Sequence, residues 1–437
     1  MRITLNNIGK INHAEVELSG LTVIAGPNES GKSTIGKTLY VIIKAISSND
    51  DTYFNSWQRT VATTFQNIFY DLLGSATVDN HNALSFFRKS NTEERFVSFA
   101  KQRMTDEMNS LLEDHINKLA MFSFKSELDR VRIVSMLESL KARIQELGDP
   151  DKEKVRKSIQ FLYNDIARGQ VNNLWREEEG EVTFKLTSGE KALSYIIKKP
   201  GSKVEINCLK EGLSDYIFRD VTFIETPLIL QIQERDLSDS PDAIPVFWRD
   251  LIKKIRKHTP NDQHEADYSD IICDQIARIL GGQIVYDVES QRFYFIKNQS
   301  EERLDILNLA SGAKGLALFY ILAKNLFINP GNLLIIDEPE NHLHPEWQVR
   351  LAELLVNLVC DGGIKVLVTS HSPYFIEAVK SFSIKRNILN TKTNFYFADI
   401  GANGSTIKNV QEYNSKEDQI FKSLYGAYDF LDKEMAQ

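Results

Sequence analysis

Cysteine is nearly missing from this chain: Cys208, Cys273 and Cys360 are the only three in 437 residues. They are odd in number and far apart, so neither a disulfide framework nor a CxxC metal knuckle can be built from them. That suits a reducing compartment. No apolar run approaches the roughly 20 residues that a spanning helix needs. The N-terminus enters a strand-like pattern without a basic-then-apolar leader. A cytoplasmic protein with no membrane association is expected. Basic charge is not in excess either: 52 Lys and Arg stand against 60 Asp and Glu, a formal net charge of −8. This balance argues against a uniformly basic nucleic-acid-binding surface and leaves room only for a local patch. Internal repeats and low-complexity tracts are absent. The remainder is ordinary globular material, 42% hydrophobic and 26% charged. The length exceeds the usual single-domain range and predicts two or three lobes.

One stretch organises the chain. Gly26-Pro27-Asn28-Glu29-Ser30-Gly31-Lys32-Ser33-Thr34 fits G-x-x-x-x-G-K-[ST] at every fixed position. Such a match needs a strand before it and a helix after it. Leu21 to Ala25 (LTVIA) is an apolar β-rich run, and Ile35 to Ile46 carries Ile35, Leu39, Ile42, Ile43 and Ile46 near helical spacing. Glycines let backbone N–H groups curl around phosphate oxygens, and a helix N-terminus adds favourable partial charge. Lys32 is expected to reach the β- and γ-phosphates of ATP, and the Ser33 hydroxyl to bind Mg²⁺.

Before this loop, Met1–Asn6 and Ala14–Leu18 read as strands of an antiparallel hairpin turning near Gly9. From about Asn49 to Asn173 helical spacing recurs, as in Ile133, Leu137, Leu140, Ile144 and Leu147, with acidic and basic residues interleaved. Solvated faces on packed helices are the expectation. The heptads are not sustained, so long coiled-coil arms are excluded. Strand patterns return at Glu181–Leu186, at Ser194–Leu209 (split by Lys198-Lys199-Pro200-Gly201) and at Val221–Glu225. Leu237–Gly282 reads as helical and polar, and Gln283–Val288 with Arg292–Lys297 as a hairpin.

Further chemistry lies toward the C-terminal end. Leu333–Glu338 (LLIIDE) is an apolar strand ending in two carboxylates. Asp337 is expected in the Mg²⁺ shell and Glu338 as general base for the attacking water. Val366–Thr369 is another buried strand, leading into Ser370-His371-Ser372-Pro373. A His at such a strand end can bond the γ-phosphate or the water. Ser311 and Gly312 open an apolar helix, Leu316–Leu326, either as an N-cap or as a spare phosphate-binding helix start. His342 and His344 in ENHLHPE could suggest a metal pair, but the sequence places no third ligand nearby.

The order of phosphate loop, long insertion, Ser-Gly helix start, LLIIDEPENHLHPEWQ and TSHSPYF resembles ABC-type ATPase heads of the SMC/RecF/OLD group. It is most similar to bacterial anti-phage ATPases of the OLD, PtuA and AriA kind. The shared motifs cover about residues 1–46 and 300–380. The resemblance implies an α/β fold, an ABC-type P-loop head whose mixed sheet has antiparallel N-terminal strands, with a helical insertion. The head is expected over 1–46, 181–235 and 283–437, the insertion over 47–180, and a smaller helical segment over 236–282.

The resemblance also implies a homodimer or higher oligomer built around ATP. Ser311 and Gly312 would face the partner's γ-phosphate, although Ala313-Lys314 depart from the familiar LSGGQ. Glu340 to His342 would lie in the D-loop, His342 and His344 would order the loop, and His371 would be the switch histidine. Gln231 and Gln233 are the candidates for a Q-loop glutamine. OLD proteins carry a Toprim nuclease that needs a Glu and a D-x-D on strand ends. The short segment after His371 offers Phe395–Ile400 with a single Asp, so no nuclease is expected here, and Lys416–Lys433 reads as a closing helix. The implied function is the sensor and scaffold subunit of an anti-phage system controlling a separately encoded nuclease or toxin. The alternatives are a RecF-like DNA-binding repair ATPase, and a transporter ATPase, which the long insertion and the HLHP motif disfavour.

Overall fold

The chain begins with β1 (Arg2–Ile8) and β2 (Ile11–Glu17), an antiparallel hairpin turning through Gly9 at φ +56°. This computed structural model describes residues 1–47, 105–119, 124–145, 150–173, 175–199, 203–231, 244–257, 268–287, 289–290, 292–341 and 343–410, with short pieces between 63 and 98. By its packing the chain forms two units, residues 1–48 with 159–437 and residues 49–158. The closing helix expected over Lys416–Lys433 lies outside the described residues.

After the hairpin come β3 (Leu21–Ala25) and α1 (Lys32–Ile46). The second unit holds α2 (Thr105–Leu119), α3 (Glu127–Gln145) and the start of α4 (Pro150–Ala167). Met108 and Leu112 on α2, with Ile133, Leu137 and Leu140 on α3, are buried at helical spacing, which makes apolar stripes that pack together.

The first unit resumes with β4 (Gly180–Lys185), β5 (Lys191–Lys198), β6 (Lys203–Leu209) and β7 (Asp220–Ile224). Helices α5 (Val246–Arg256) and α6 (Tyr268–Leu280) follow, then β8 (Gly282–Asp287), β9 (Arg292–Lys297) and β10 (Arg303–Asp305). The chain continues through α7 (Ser311–Lys324), β11 (Asn332–Asp337), α8 (Pro345–Gly362), β12 (Lys365–Ser370) and α9 (Pro373–Lys385). It reaches β13 (Thr393–Gly401) and β14 (Gly404–Asn409).

Eleven of these strands make one mixed sheet in the order β6-β5-β4-β1-β2-β14-β13-β3-β12-β11-β7. The run β13-β3-β12-β11-β7 is parallel, while β6, β5, β4, β1 and β2 pair antiparallel. Sequence explains the division. LTVIA in β3 is buried throughout, as a parallel strand covered on both faces requires. INHAEVE in β2 alternates, as a strand with one wet face should. β14 joins the halves, antiparallel to β13 and parallel to β2. The three strands β10-β9-β8 form a second, antiparallel sheet.

Helix α1 lies close against the parallel strands. A Cβ on Gly36 would come within 2.9 Å of Ile335 and 3.1 Å of Phe223, so only glycine permits this approach. The other end of α1 is fixed by buried charges. Lys44 Nζ lies 2.7 Å from Asp220 and 2.8 Å from Asp250, and Lys254 Nζ lies 2.8 and 3.0 Å from the same two carboxylates. Each cation bridges β7 and α5, which neutralises four charges that could not be buried singly.

Candidate nucleotide site

The phosphate loop runs from the tip of β3 into α1. Gly31 occupies the N-cap position with φ +82°, and no side chain caps the helix. A Cβ there would also meet Ile11 at 3.0 Å, so the left-handed turn and the close approach both call for glycine. The uncapped first-turn amides of α1 thus remain available to an anion. Ser30 Oγ is buried without a hydrogen-bond partner. Lys32 is buried, and its Nζ donates to the carbonyls of Gly26 at 2.9 Å and Pro27 at 2.7 Å. Burial lowers its pKa, opposed by the carboxylates of Glu338, Asp337 and Glu340. Among the described residues no carboxylate pairs with it directly. A buried cation held by neutral carbonyls, beside free amides and an orphan hydroxyl, fits a phosphate chain.

Asp337 ends β11, opposite Thr369 of the parallel β12. The Thr369 hydroxyl donates to its Oδ1. Burial pushes the Asp337 carboxyl up, against hydrogen bonding from Thr369 and Ser33 that lowers it. A carboxylate and a hydroxyl brought together in a half-buried spot are hard oxygen donors of the type Mg²⁺ takes.

Glu338 follows at φ +50°, a left-handed conformation unusual for this residue type. Its amide donates to Thr369 O at 3.1 Å and to Thr369 Oγ1 at 3.2 Å, which holds the strained turn in place. His371 Nδ1 lies 3.3 Å from Glu338 Oε1 and 3.6 Å from Glu340 Oε1. These are ion-pair contacts without the alignment of a hydrogen bond, and Nδ1 is left without a hydrogen-bond partner. The pair still shifts both groups. His371, with Asn341 donating at 3.1 Å, holds the Glu338 carboxyl down at about 2. The Glu338 carboxylate draws the His371 pKa up against partial burial.

Glu340 lies beneath this pair. Its side chain is only 3% exposed. Oε1 accepts from Ser370 Oγ at 2.7 Å, His371 N at 2.8 Å and Ser372 N at 3.1 Å. Ser372 caps α9 and donates to Gln348 on α8 at 2.6 Å, and Gln348 donates to Leu343 O at 3.0 Å. The turn after β11 and the loop carrying His371 are thereby locked together.

Gly26–Thr34, Asp337, Glu338 and His371 converge on one region. Ser311 and Gly312 lie next to it: they line a neighbouring cavity of about 120 Å³ that contains no phosphate-loop residue but shares Asp337 and Glu338 and adds Glu225 and Asn341. Ser311 is the first residue of α7 rather than its cap, which falls on Ala310 without a side-chain bond. Gln231 is exposed and lines neither this cavity nor the one at the phosphate loop, and Gln233 lies outside the described residues. At the tip of β7 stands Glu225 instead, 3.0 Å from Lys37 and accepting from Trp248 Nε1 at 3.0 Å. Glu225 carries no motif, and its place at the end of an apolar strand is the one signal that points to it. His344 Nδ1 caps α8, accepting from Glu346 N at 3.4 Å, while His342 lies outside the described residues. Among the described residues no cluster of metal-ligating side chains is large enough to hold an ion by itself.

Strand, glycine loop, helix and acidic strand tip define a P-loop ATPase. A family model described as AAA ATPase domain matches residues 1–376, and the chain belongs to that family. Over 100 residues, 21% of this chain, it is 38% identical to the Retron Vc95 probable ATPase of Vibrio cholerae serotype O1 biovar El Tor. That match spans 19% of the relative's own length. Among solved structures, the SMC head domain from Thermotoga maritima is 12% identical with a TM-score of 0.40, covering 94% of this chain and 98% of that one. An SmcHead bound to the C-winged helix domain of ScpA is 11% identical with a TM-score of 0.45, over 93% and 96%. No helix among the described residues is long and apolar enough to cross a membrane.

Proposed function

We propose that this ATPase is a sensor and scaffold subunit of a bacterial anti-phage system, one that dimerises through composite ATP sites and controls a separate nuclease or toxin. The observation that carries the dimer is the uncapped start of α7. Ser311 and Gly312 line a cavity apart from the phosphate loop, so a second phosphate-binding helix start is available to a nucleotide held elsewhere. The resemblance to anti-phage ATPases, with a retron ATPase among the chain's relatives, supports the defence setting.

In this reading Lys32 exchanges its two loop carbonyls for the β- and γ-phosphate oxygens, and the α1 amides with Asn28, Glu29, Ser30 and Thr34 complete the cradle. Ser33 and Asp337 would hold Mg²⁺, which would supply positive charge against the phosphates. Glu338 is ionised at neutral pH and orients the attacking water. Glu338 acts as general base toward that water, and slow turnover is expected because a sensor needs a held state more than rapid cycling. His371, close to Glu338, bonds the γ-phosphate or the water. ATP ordering the partner's α7 would hold two heads together, and hydrolysis would release them.

Mixing two inactive variants tests the composite site. Lys32→Ala lacks its own phosphate grip and Ser311→Arg blocks the partner's. One intact site forms when they pair, so the mixture regains ATPase activity that neither shows alone. If the mixture stays as inactive as its components, the composite site is wrong.

A further inference from the structure

The cavity at the phosphate loop has a volume of about 360 Å³, within the roughly 300–1,000 Å³ range of small-molecule sites. Its walls include more than the loop. Gln170, Asn172 and Trp175, from the stretch after α4, line it together with the Gly9-Lys10 turn.

That stretch is firmly built. Gly9 N donates to Val171 O at 2.7 Å, and Asn173 N donates to Asn7 O at 3.0 Å. Asn172 Oδ1 accepts from Gly180 N at 3.1 Å. The fully buried Asn173 donates to Asn12 Oδ1 at 3.0 Å, and its own Oδ1 accepts from Trp175 N at 2.9 Å. Two features of this rigid wall lack a partner. Asn172 is only 6% exposed, and its Nδ2 is buried without a hydrogen-bond acceptor. Trp175 is 56% exposed, and its indole on an anchored backbone offers a face for stacking. A flat heteroaromatic ring with acceptor atoms at its edge satisfies both.

We infer that Gln170, Asn172 and Trp175 form the base-recognition half of the nucleotide site, with Trp175 stacking on the purine of ATP and Asn172 Nδ2 donating to a ring acceptor. The inference rests on the phosphate loop holding ATP, and it deepens that reading by naming what grips the base. A stack of this kind is sequence-tolerant, because any purine offers a π-face, and the Asn172 donor supplies orientation.

The test compares two ligands on the full chain. ATP carries base and phosphates, and inorganic tripolyphosphate carries phosphates alone. Trp175→Ala is expected to weaken ATP binding by roughly tenfold or more, the size of a lost base stack, and to leave tripolyphosphate binding unchanged. Trp175→Phe keeps a ring and is expected to retain most of the ATP affinity. ATP, but not tripolyphosphate, should quench tryptophan fluorescence in the wild type, and that quenching should vanish in Trp175→Phe. Lys32→Ala should weaken both ligands. If Trp175→Ala binds ATP as the wild type does, or loses both ligands equally, the base assignment falls while the Lys32 result leaves the ATP reading standing. If wild-type protein binds neither ligand, the ATP reading falls and takes this inference with it.

Discussion

Replacing Glu340 by Ala should damage this protein in two separable ways. The carboxylate is nearly inaccessible and accepts three hydrogen bonds through Oε1, from Ser370 Oγ, His371 N and Ser372 N. Hydrogen bonds to a charged group contribute about 1.5–3 kcal/mol each. Their sum overstates the loss, because the emptied site can admit water to the freed amides. The net loss should therefore be about 3–5 kcal/mol, below that sum. Set against a total stability of about 5–15 kcal/mol, it is severe but survivable. Glu340→Gln keeps the Oε1 acceptor, loses the charge and places an amide NH2 where Oε2 is buried without a partner, so its cost should be smaller than that of Ala. The functional loss follows from geometry. Glu340 holds the backbone that aims His371, so kcat for ATP should fall in both variants while KM changes little. Thermal melting and steady-state ATPase kinetics read the two effects. A Glu340→Ala protein that melts and turns over like the wild type would refute the reasoning.

Other outcomes follow from the same site. Gly31→Ala forces a side chain into the left-handed region, costing about 1–2 kcal/mol, and drives a Cβ against Ile11 at 3.0 Å; ATP affinity measured by calorimetry should fall sharply. Glu338→Gln should keep ATP binding and lose about 100-fold or more in kcat, the usual size of a lost acid–base contribution, as a single-turnover assay would show. The Glu338–His371 pair also sets a pH window. Glu338's contribution to stability is present above its unfolded value of 4.5 and is lost as pH falls toward about 2. His371's is full below 6.5 and is lost as pH rises through its raised folded value. The pair therefore stabilises most between those two unfolded values, and a His371 titration followed by NMR should move down in Glu338→Gln. Asp337→Asn should weaken Mg²⁺ binding, so that ATP hydrolysis requires more metal in a Mg²⁺ titration.

Much of the parallel core was legible because its signals are local and strong. LTVIA and LLIID are apolar runs bounded by a glycine turn or acidic residues, and they lie within a residue of β3 and β11. The phosphate loop needed only its spacing. What escaped is what depends on distant partners. β14, with the polar sequence GSTIKN, is a strand only because β13 and β2 stand on either side. β10 has three residues, too few for any period to show. Glu225 gave no motif, and its pairing with Lys37 and Trp248 appears only once β7, α1 and α5 meet. Trp175 lies about 140 residues from the phosphate loop whose cavity it lines, so spacing could not join them. The sequence leaves Ser311 equally a cap or a phosphate site, because only the fold fixes where the helix begins: it starts at that residue without a side-chain cap.

The central claim, that ATP gates pairing of two heads, is tested most directly by particle mass. Light scattering on Glu338→Gln, which should bind ATP and hold it, compares the protein with and without nucleotide. The account predicts an ATP-dependent species of twice the 49.9 kDa chain mass, or a multiple of it, that dissociates when ATP is removed. A monomer under both conditions would contradict it.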